Sequence, residues 1–272
     1  VYLISRFREQ LAGLVHLAVP EFSALVRLQS KTGFARLLEQ LDVPQPATRI
    51  VTSRAELESH RECPCYLKSP HGTAGRGVRL LDAAARLAPA AGAFAEMGLL
   101  DRQSGIVIQQ PALGTHSVVQ SVFQEGRLIG AHCMESLRLA VGGGQAARLS
   151  VSQPVVVDYV RRIGEHLQWH GPMFFEYFWD AEQQRPQFFE CNPRIGETVN
   201  ALLAGINLPD ALVRIAMGER VEPLPAGKAG VRSHIGFLMF MEPAWKGAGR
   251  LRMLRELGQL VTRRDGYAGA NE

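Results

Sequence analysis

Residues 188–200, FFECNPRIGETVN, set an acid, a carboxamide and a guanidinium two residues apart, at Glu190, Asn192 and Arg194. Behind the apolar pair Phe188 and Phe189, this spacing reads as a strand whose alternate side chains share one face. Pro193 lacks an N–H and marks where sheet pairing stops. Gly196 lets the backbone come close to a bound group. Upstream, MFFEYFWD places Glu176 between aromatic residues in a second strand. If the two strands are neighbours, Glu176 and Glu190 form a carboxylate pair. Hard oxygen donors beside an arginine suit Mg²⁺ carrying a phosphate chain.

A second group of residues points to the same chemistry. The loop at 69–77 holds Gly72, Gly75 and Gly77 just after Lys68. Glycines let backbone N–H groups turn inward around phosphate oxygens, and Lys68 would add a point charge. No Gly-Lys-Ser/Thr follows, so this is not a Walker A loop. It is not a Rossmann fingerprint either, since Gly75 and Gly77 lack the third glycine and sit in a hairpin. Protein-kinase signatures are absent.

The elements that must position these residues are readable in turn. From Ser30, apolar residues at Phe34, Leu37, Leu38 and Leu41 have helical spacing, with Ser30 as N-cap and Lys31 in the first turn. Pro44 and Pro46 end that helix, and TRIV follows as a strand at 48–51. Ser53 with Glu56 predicts a capping box. Strands at 65–69 and 78–81 flank the glycine loop, an Ala-rich helical segment spans 82–97, and IVIQQ is a strand at 106–110. HSVVQSVFQ and RLIGAHCME form two alternating strands joined at Glu125-Gly126, and AVGGGQ is a glycine loop. Helical spacing recurs at 158–169 and 208–217, SHIGFLMFME reads as a strand, and 249–261 as a basic amphipathic helix. Hairpins dominate without regular strand–helix–strand alternation, so the fold class is α+β in two lobes.

Composition bounds the rest. With 272 residues, 46% hydrophobic and 21% charged, the chain supports one large domain or two lobes with real cores. Apolar runs are too short for a transmembrane helix, and the first twenty residues do not form a signal peptide. Cys63, Cys65, Cys133 and Cys191 lack zinc spacing and read as buried free thiols of a reducing cytoplasm. A net charge of +4 suits an anionic substrate such as a nucleotide. The arginines at 250, 252, 255, 263 and 264 read as a solvated helix face, and His71 as an exposed tip of the glycine loop.

Taken in order, Lys31 at a helix start, LKSPHGTAGRGV, IVIQQPALGTHSV, FFEYF and FFECNPRIG resemble the ATP-grasp superfamily over residues 30–219. FECNPR and the glycine loop are the most specific parts. That superfamily includes carbamoyl-phosphate synthetase, biotin carboxylase and peptide-forming carboxylate–amine ligases. The resemblance implies a two-lobed ATP-grasp fold, with nucleotide between an N-terminal lobe and a C-terminal antiparallel-sheet lobe, usually behind a further N-terminal α/β domain. The opening on Val1 agrees with a fragment of something longer. The expected division is a remnant or linker at 1–29, an N-terminal lobe with the glycine flap at 30–112, a C-terminal lobe with the metal site at 113–225, and a strand and helix extension at 226–272.

Position by position, Lys31 and Lys68 resemble the two lysines that contact ATP phosphates. Ser69, Gly72, Thr73, Gly75 and Gly77 belong to the flap that closes over them. Gln109, Gln110 and Ala112 fall at the hinge that reads adenine, and His116 falls where a ribose-binding Glu is common. Glu176, Glu190 and Asn192 match the magnesium ligands, with Mn²⁺ as an alternative ion, and Arg194 matches the arginine beside the transferred phosphate. Gln109 and His116 depart from the usual acids; both can still hydrogen-bond a nucleotide. The implied activity is ATP-dependent, ADP-forming ligation of a small-molecule carboxylate to an amine or other nucleophile through an acyl phosphate. A nucleotide-binding module without its own ligase activity and an ATP-dependent phosphotransferase are the alternatives. The expected setting is cytoplasmic, without nucleic acid or membrane; a homodimer stays open.

Overall fold

The computed structural model describes residues 1–72, 75–100, 105–140, 143–264 and 267–272. From the N-terminus come α1 (Tyr2–Arg6), α2 (Arg8–Leu11), α3 (Phe22–Gln29), α4 (Lys31–Gln40), β1 (Thr48–Val51), α5 (Arg54–Ser59), β2 (Cys65–Lys68) and β3 (Val78–Leu81). A 3-10 turn leads to α6 (Leu87–Glu96), β4 (Ile106–Gln109), β5 (Thr115–Gln124), β6 (Arg127–Leu139), β7 (Gln145–Val151) and α7 (Pro154–His166). The chain ends with β8 (Gly171–Asp180), β9 (Arg185–Asn192), α8 (Val199–Leu203), α9 (Leu208–Ala216), β10 (Arg232–His234), α10 (Gly236–Trp245), α11 (Arg250–Thr262) and β11 (Ala270–Asn271). These elements fall into two units. One is Phe22–Gly114 with Phe175–Pro193; the other is Val1–Glu21 with Thr115–Phe174 and Arg194–Glu272.

In the first unit, β1, β4, β2 and β3 form an antiparallel sheet in that order. Alternation gives it two faces. Cys65, Leu67, Leu81, Ile106 and Ile108 point into a core closed by Leu57 of α5 and Phe94 of α6. The capping box predicted at Ser53 and Glu56 opens α5. Ser30 Oγ accepts the Gly33 N–H at 3.3 Å and caps α4, as its spacing predicts. Phe34 of α4 packs against Phe175 at 6.0 Å between ring centroids, and Phe175 against Phe188 at 5.7 Å, which ties β8 and β9 to the helix. The Phe188 N–H donates to the Pro44 carbonyl at 2.9 Å.

In the second unit the strand order is β11, β10, β7, β6, β5, with the opening residues of β8 beside β5. The pairs are antiparallel except β10 with β11. Glu125 and Gly126, with φ of 51° and 79°, make the two-residue turn between β5 and β6 that Glu-Gly predicts. Val122, Ile129, Ala201, Ile206 and Leu208 form a core beneath α8 and α9. A buried polar chain crosses the unit: His132 Nε2 meets Asn200 Oδ1 at 2.8 Å, and Asn200 Nδ2 donates to Ser233 Oγ at 2.8 Å. Ser233 and Arg148 both donate to the Glu272 carboxylate.

One expectation is corrected, and one strand carries no signal in the sequence. SHIGFLMFME is a strand only at its start, in β10; from Gly236 onward it is α10. A continuous apolar run does not by itself distinguish strand from buried helix, and ten residues is ample for a helix. After the glycine loop, β7 is a full strand whose buried members include Gln145, Arg148 and Ser150. Those polar residues mask the usual strand composition. The cysteines are free, with Cys65, Cys133 and Cys191 buried and Cys63 half-buried. Among the described residues no helix is long and apolar enough to cross a membrane.

Candidate functional site

The sheet face of the first unit that turns away from its core carries Tyr66, Lys68 and Gln109. With Pro46, Gly75, Val78, Gln110, Pro111, Ala112, Phe178, Phe189 and Glu190 they line a cavity of about 280 Å³. Lys68 is 8% exposed. Its Nζ donates to Gln109 Oε1 at 2.6 Å and lies 5.2 Å from the centroid of the Phe189 ring. Burial is the main influence on this ammonium and takes it down to about 8; Glu190 opposes the fall, Lys31 adds to it, and Glu176 opposes it more weakly. A lysine this deep stays useful only where an anion can complete its surroundings.

The glycine loop is anchored at both ends. The Ser69 N–H donates to the Gly77 carbonyl at 2.8 Å, and Ser69 Oγ donates to the His71 carbonyl at 2.6 Å. Gly77 has φ of 77°, and a Cβ there would stand 2.1 Å from Ser69 Oγ, so the position demands glycine. The start of α4 is tied to the same loop. The Lys31 N–H donates to the Pro70 carbonyl at 2.8 Å and its Nζ lies 3.5 Å from the Gly72 carbonyl. Lys31, His71, Gly72, Glu190 and Asn192 line a smaller adjoining cavity of about 170 Å³. His71 and Gly72 are exposed. Thr73, named with this loop, lies outside the described residues.

In β9, alternating burial slips by one at Phe189 and Glu190, which are both half-buried and line the same cavity. Asn192 Nδ2 reaches Glu190 Oε1 at 3.5 Å. Glu176 sits half-buried in β8 between the buried Phe175 and Tyr177. In the segment after β4, the Gln110 N–H donates to the Ala47 carbonyl at 2.9 Å, and Gln110 Nε2 lies 3.4 Å from Glu62 Oε2.

Lys31, Lys68, the described loop residues, Gln109, Gln110, Ala112, Glu176, Glu190 and Asn192 therefore share one unit. His116 and Arg194 belong to the other. There, His116 Nδ1 meets Ser136 Oγ at 2.6 Å, and Gln145 Nε2 donates to the same hydroxyl. Arg194, exposed and past the end of β9, stacks over the Phe174 ring at 5.1 Å. Sequence reasoning did not name Tyr66, Phe178 and Phe189 as walls of the cavity, nor Thr48 as a partner of Gln109. The strand register, with Thr48 and Tyr66 opposite Gln109 on either side, reveals Thr48 and Tyr66, while Phe178 and Phe189 reach the cavity from β8 and β9.

Among the described residues no three His, Cys, Asp or Glu side chains gather as a metal cluster. Two carboxylates and a carboxamide are nonetheless a suitable donor set for Mg²⁺, which takes few protein oxygens and completes its shell with water and phosphate.

No family model matches the sequence, and no curated protein matches it. Solved structures do match in fold. Biotin carboxylase from Campylobacter jejuni, in a complex with β-γ-ATP, superposes with a TM-score of 0.68 at 16% identity, covering 84% of this chain and 55% of that one. Carboxyaminoimidazole ribonucleotide synthase from Aspergillus clavatus, complexed with ATP, gives 0.60 at 15% identity over 82% of this chain and 60% of that one. L-amino acid ligase from Bacillus licheniformis gives 0.58 at 17% identity over 80% and 53%. The chain thus spans little more than half the length of each of these.

Proposed function

We propose that this chain, whose fold is that of the ATP-grasp proteins, binds Mg-ATP and joins a carboxylate to an amine or another nucleophile through an acyl phosphate. The observation that carries this reading is the buried Lys68, set beneath a glycine loop in a cavity that Glu190 also lines. Lys31 and Lys68 would take up phosphate charge, while loop N–H groups hold phosphate oxygens. Gln110 and Ala112 would border the base, with Tyr66 and Phe189 as apolar walls. Glu176, Glu190 and Asn192 would hold Mg²⁺, which when bound offsets the negative charge gathering on the transferred phosphoryl group. A substrate carboxylate oxygen bonds to the γ-phosphorus as the bond to ADP breaks. The nucleophile then attacks the acyl carbon, and phosphate leaves. The roles that the sequence resemblance gives Arg194 and His116 stand as part of this proposal.

Glu190→Gln keeps size and polarity but removes a charge beside Lys68. Substrate-stimulated ADP release, screened over amino acids as acid and amine partners, should fall by at least about a hundredfold, with circular dichroism unchanged. Equal ADP release by the variant and its parent would overturn the assignment of Glu190.

A second reading, favoured by the neutral Gln109 engaged with Lys68 in place of the usual acid, is a nucleotide-binding module without independent ligase activity. Magnesium-dependent ATP binding without stimulated ADP release would select it. ADP release with a phosphorylated product and no ligation would select a phosphotransferase.

A further inference from the structure

Gln109 is 5% exposed, and its amide is held at both ends. Lys68 Nζ lies 2.6 Å from Gln109 Oε1, and Gln109 Nε2 lies 2.8 Å from Thr48 Oγ1. Thr48 Oγ1 in turn lies 2.6 Å from the Pro46 carbonyl. Chemistry fixes the direction of every bond in this series. An ammonium only donates, so Gln109 must turn its carbonyl oxygen toward Lys68. Its NH₂ group then faces Thr48, whose hydroxyl oxygen must accept, and the single hydroxyl hydrogen goes to Pro46. The strand register brings the three side chains together. Thr48 stands opposite Gln109 across β1 and β4, while Tyr66 stands opposite Gln109 across β2, leaving Lys68 on the diagonal of the same face.

We propose that Thr48 is a positioning residue for Lys68, acting through the orientation of the Gln109 amide. Without the hydroxyl, only the bond from Lys68 still opposes rotation of the amide, and the rotated form sets NH₂ against the ammonium. A glutamate at this position would need no such help, because both its oxygens accept. The neutral Gln109 makes the orientation matter. The role of Lys68 toward phosphate rests on the function proposed above; the hydrogen-bond series does not.

Two measurements on the full chain separate the two claims. In the ligand-free protein, acetylation of Lys68 by acetic anhydride, followed by mass spectrometry, reports how tightly its amine is held. Thr48→Val should raise that rate about fivefold, the loss of one hydrogen bond, and Thr48→Ser should restore it. By calorimetry, Thr48→Val should weaken Mg-ATP by about the same factor while leaving adenosine unchanged. In a Gln109→Glu background, Thr48→Val should change neither. Thr48→Ala replaces the valine variant if the latter does not fold. Unaltered Lys68 acetylation in Thr48→Val, no rescue by serine, or an equal effect in the Gln109→Glu background would overturn the positioning role. A parent chain that binds no ATP would instead overturn the nucleotide reading, while the acetylation arm still decides the relay.

Discussion

Lys68 concentrates the electrostatics of the cavity. Burial, more than any neighbour, lowers it from the ordinary lysine value to about 8, against the pull of Glu190. The unfolded chain, with a lysine near about 10.4, therefore holds one more proton than the folded chain between about pH 8 and pH 10.4. Stability must rise with pH across that window, and the whole cost of the buried charge is present below it. Comparing ligand-free parent with Lys68→Met in denaturant isolates the titration of this group. From about pH 7.5 to pH 10.5 the parent should gain roughly 3 kcal/mol on the variant. A difference that stays flat with pH would show that the amine is not held charged in a dry site. The types of Lys68, Glu176, Glu190 and Asn192 are readable in sequence because charge and carboxamide among apolar strand residues are unusual. Tyr66 and Phe189 at the cavity, and Thr48 behind Gln109, are ordinary strand residues, and which residues meet across strands is something no local pattern carries.

At the level of elements, α4 matters because its first turn presents Lys31 to the glycine loop. Its sequence is easy to read, with a serine cap and apolar spacing, yet one constraint is hidden. Gly33 would ordinarily be improved by alanine, by up to about 1 kcal/mol in a helix interior. Here a Cβ would stand 2.6 Å from the Arg27 carbonyl oxygen, which belongs to the backbone of α3. Gly33→Ala must therefore push α3 and α4 apart, and a thermal melt should show a loss of about 1–3 kcal/mol in place of a gain. A higher melting temperature would mean that the two helices yield freely. The elements that the sequence misjudges fail for the opposite reason, because their own patterns are ambiguous. The apolar run of α10 carries no period that excludes a strand, and β7 hides buried Gln145, Arg148 and Ser150 behind a polar composition.

For the molecule as a whole, the informative fact is that the unit holding the cavity is discontinuous in sequence. Residues 22–114 supply the lysines, the loop and the glutamines at 109 and 110, while Phe175–Pro193 returns from far along the chain with both carboxylates. That return also closes the core. Phe34, 3% exposed, rests on Phe175, and β9 packs against α3 and α4. Motifs and hairpins can be read along a sequence, but this closure cannot, because it joins distant segments through aromatic contacts that have no spacing rule. A fragment of residues 22–114 would bare one side of α4, and losing burial of a phenylalanine or leucine costs about 1.5–3 kcal/mol each. Against a typical total of about 5–15 kcal/mol, a few such residues suffice to unfold it. The fragment should melt without a cooperative transition in a calorimeter, and joining 175–193 to it through a glycine-serine linker should restore one. A sharp transition in the short fragment would show that the first segment has a complete core of its own and that the carboxylate strands are an addition to it.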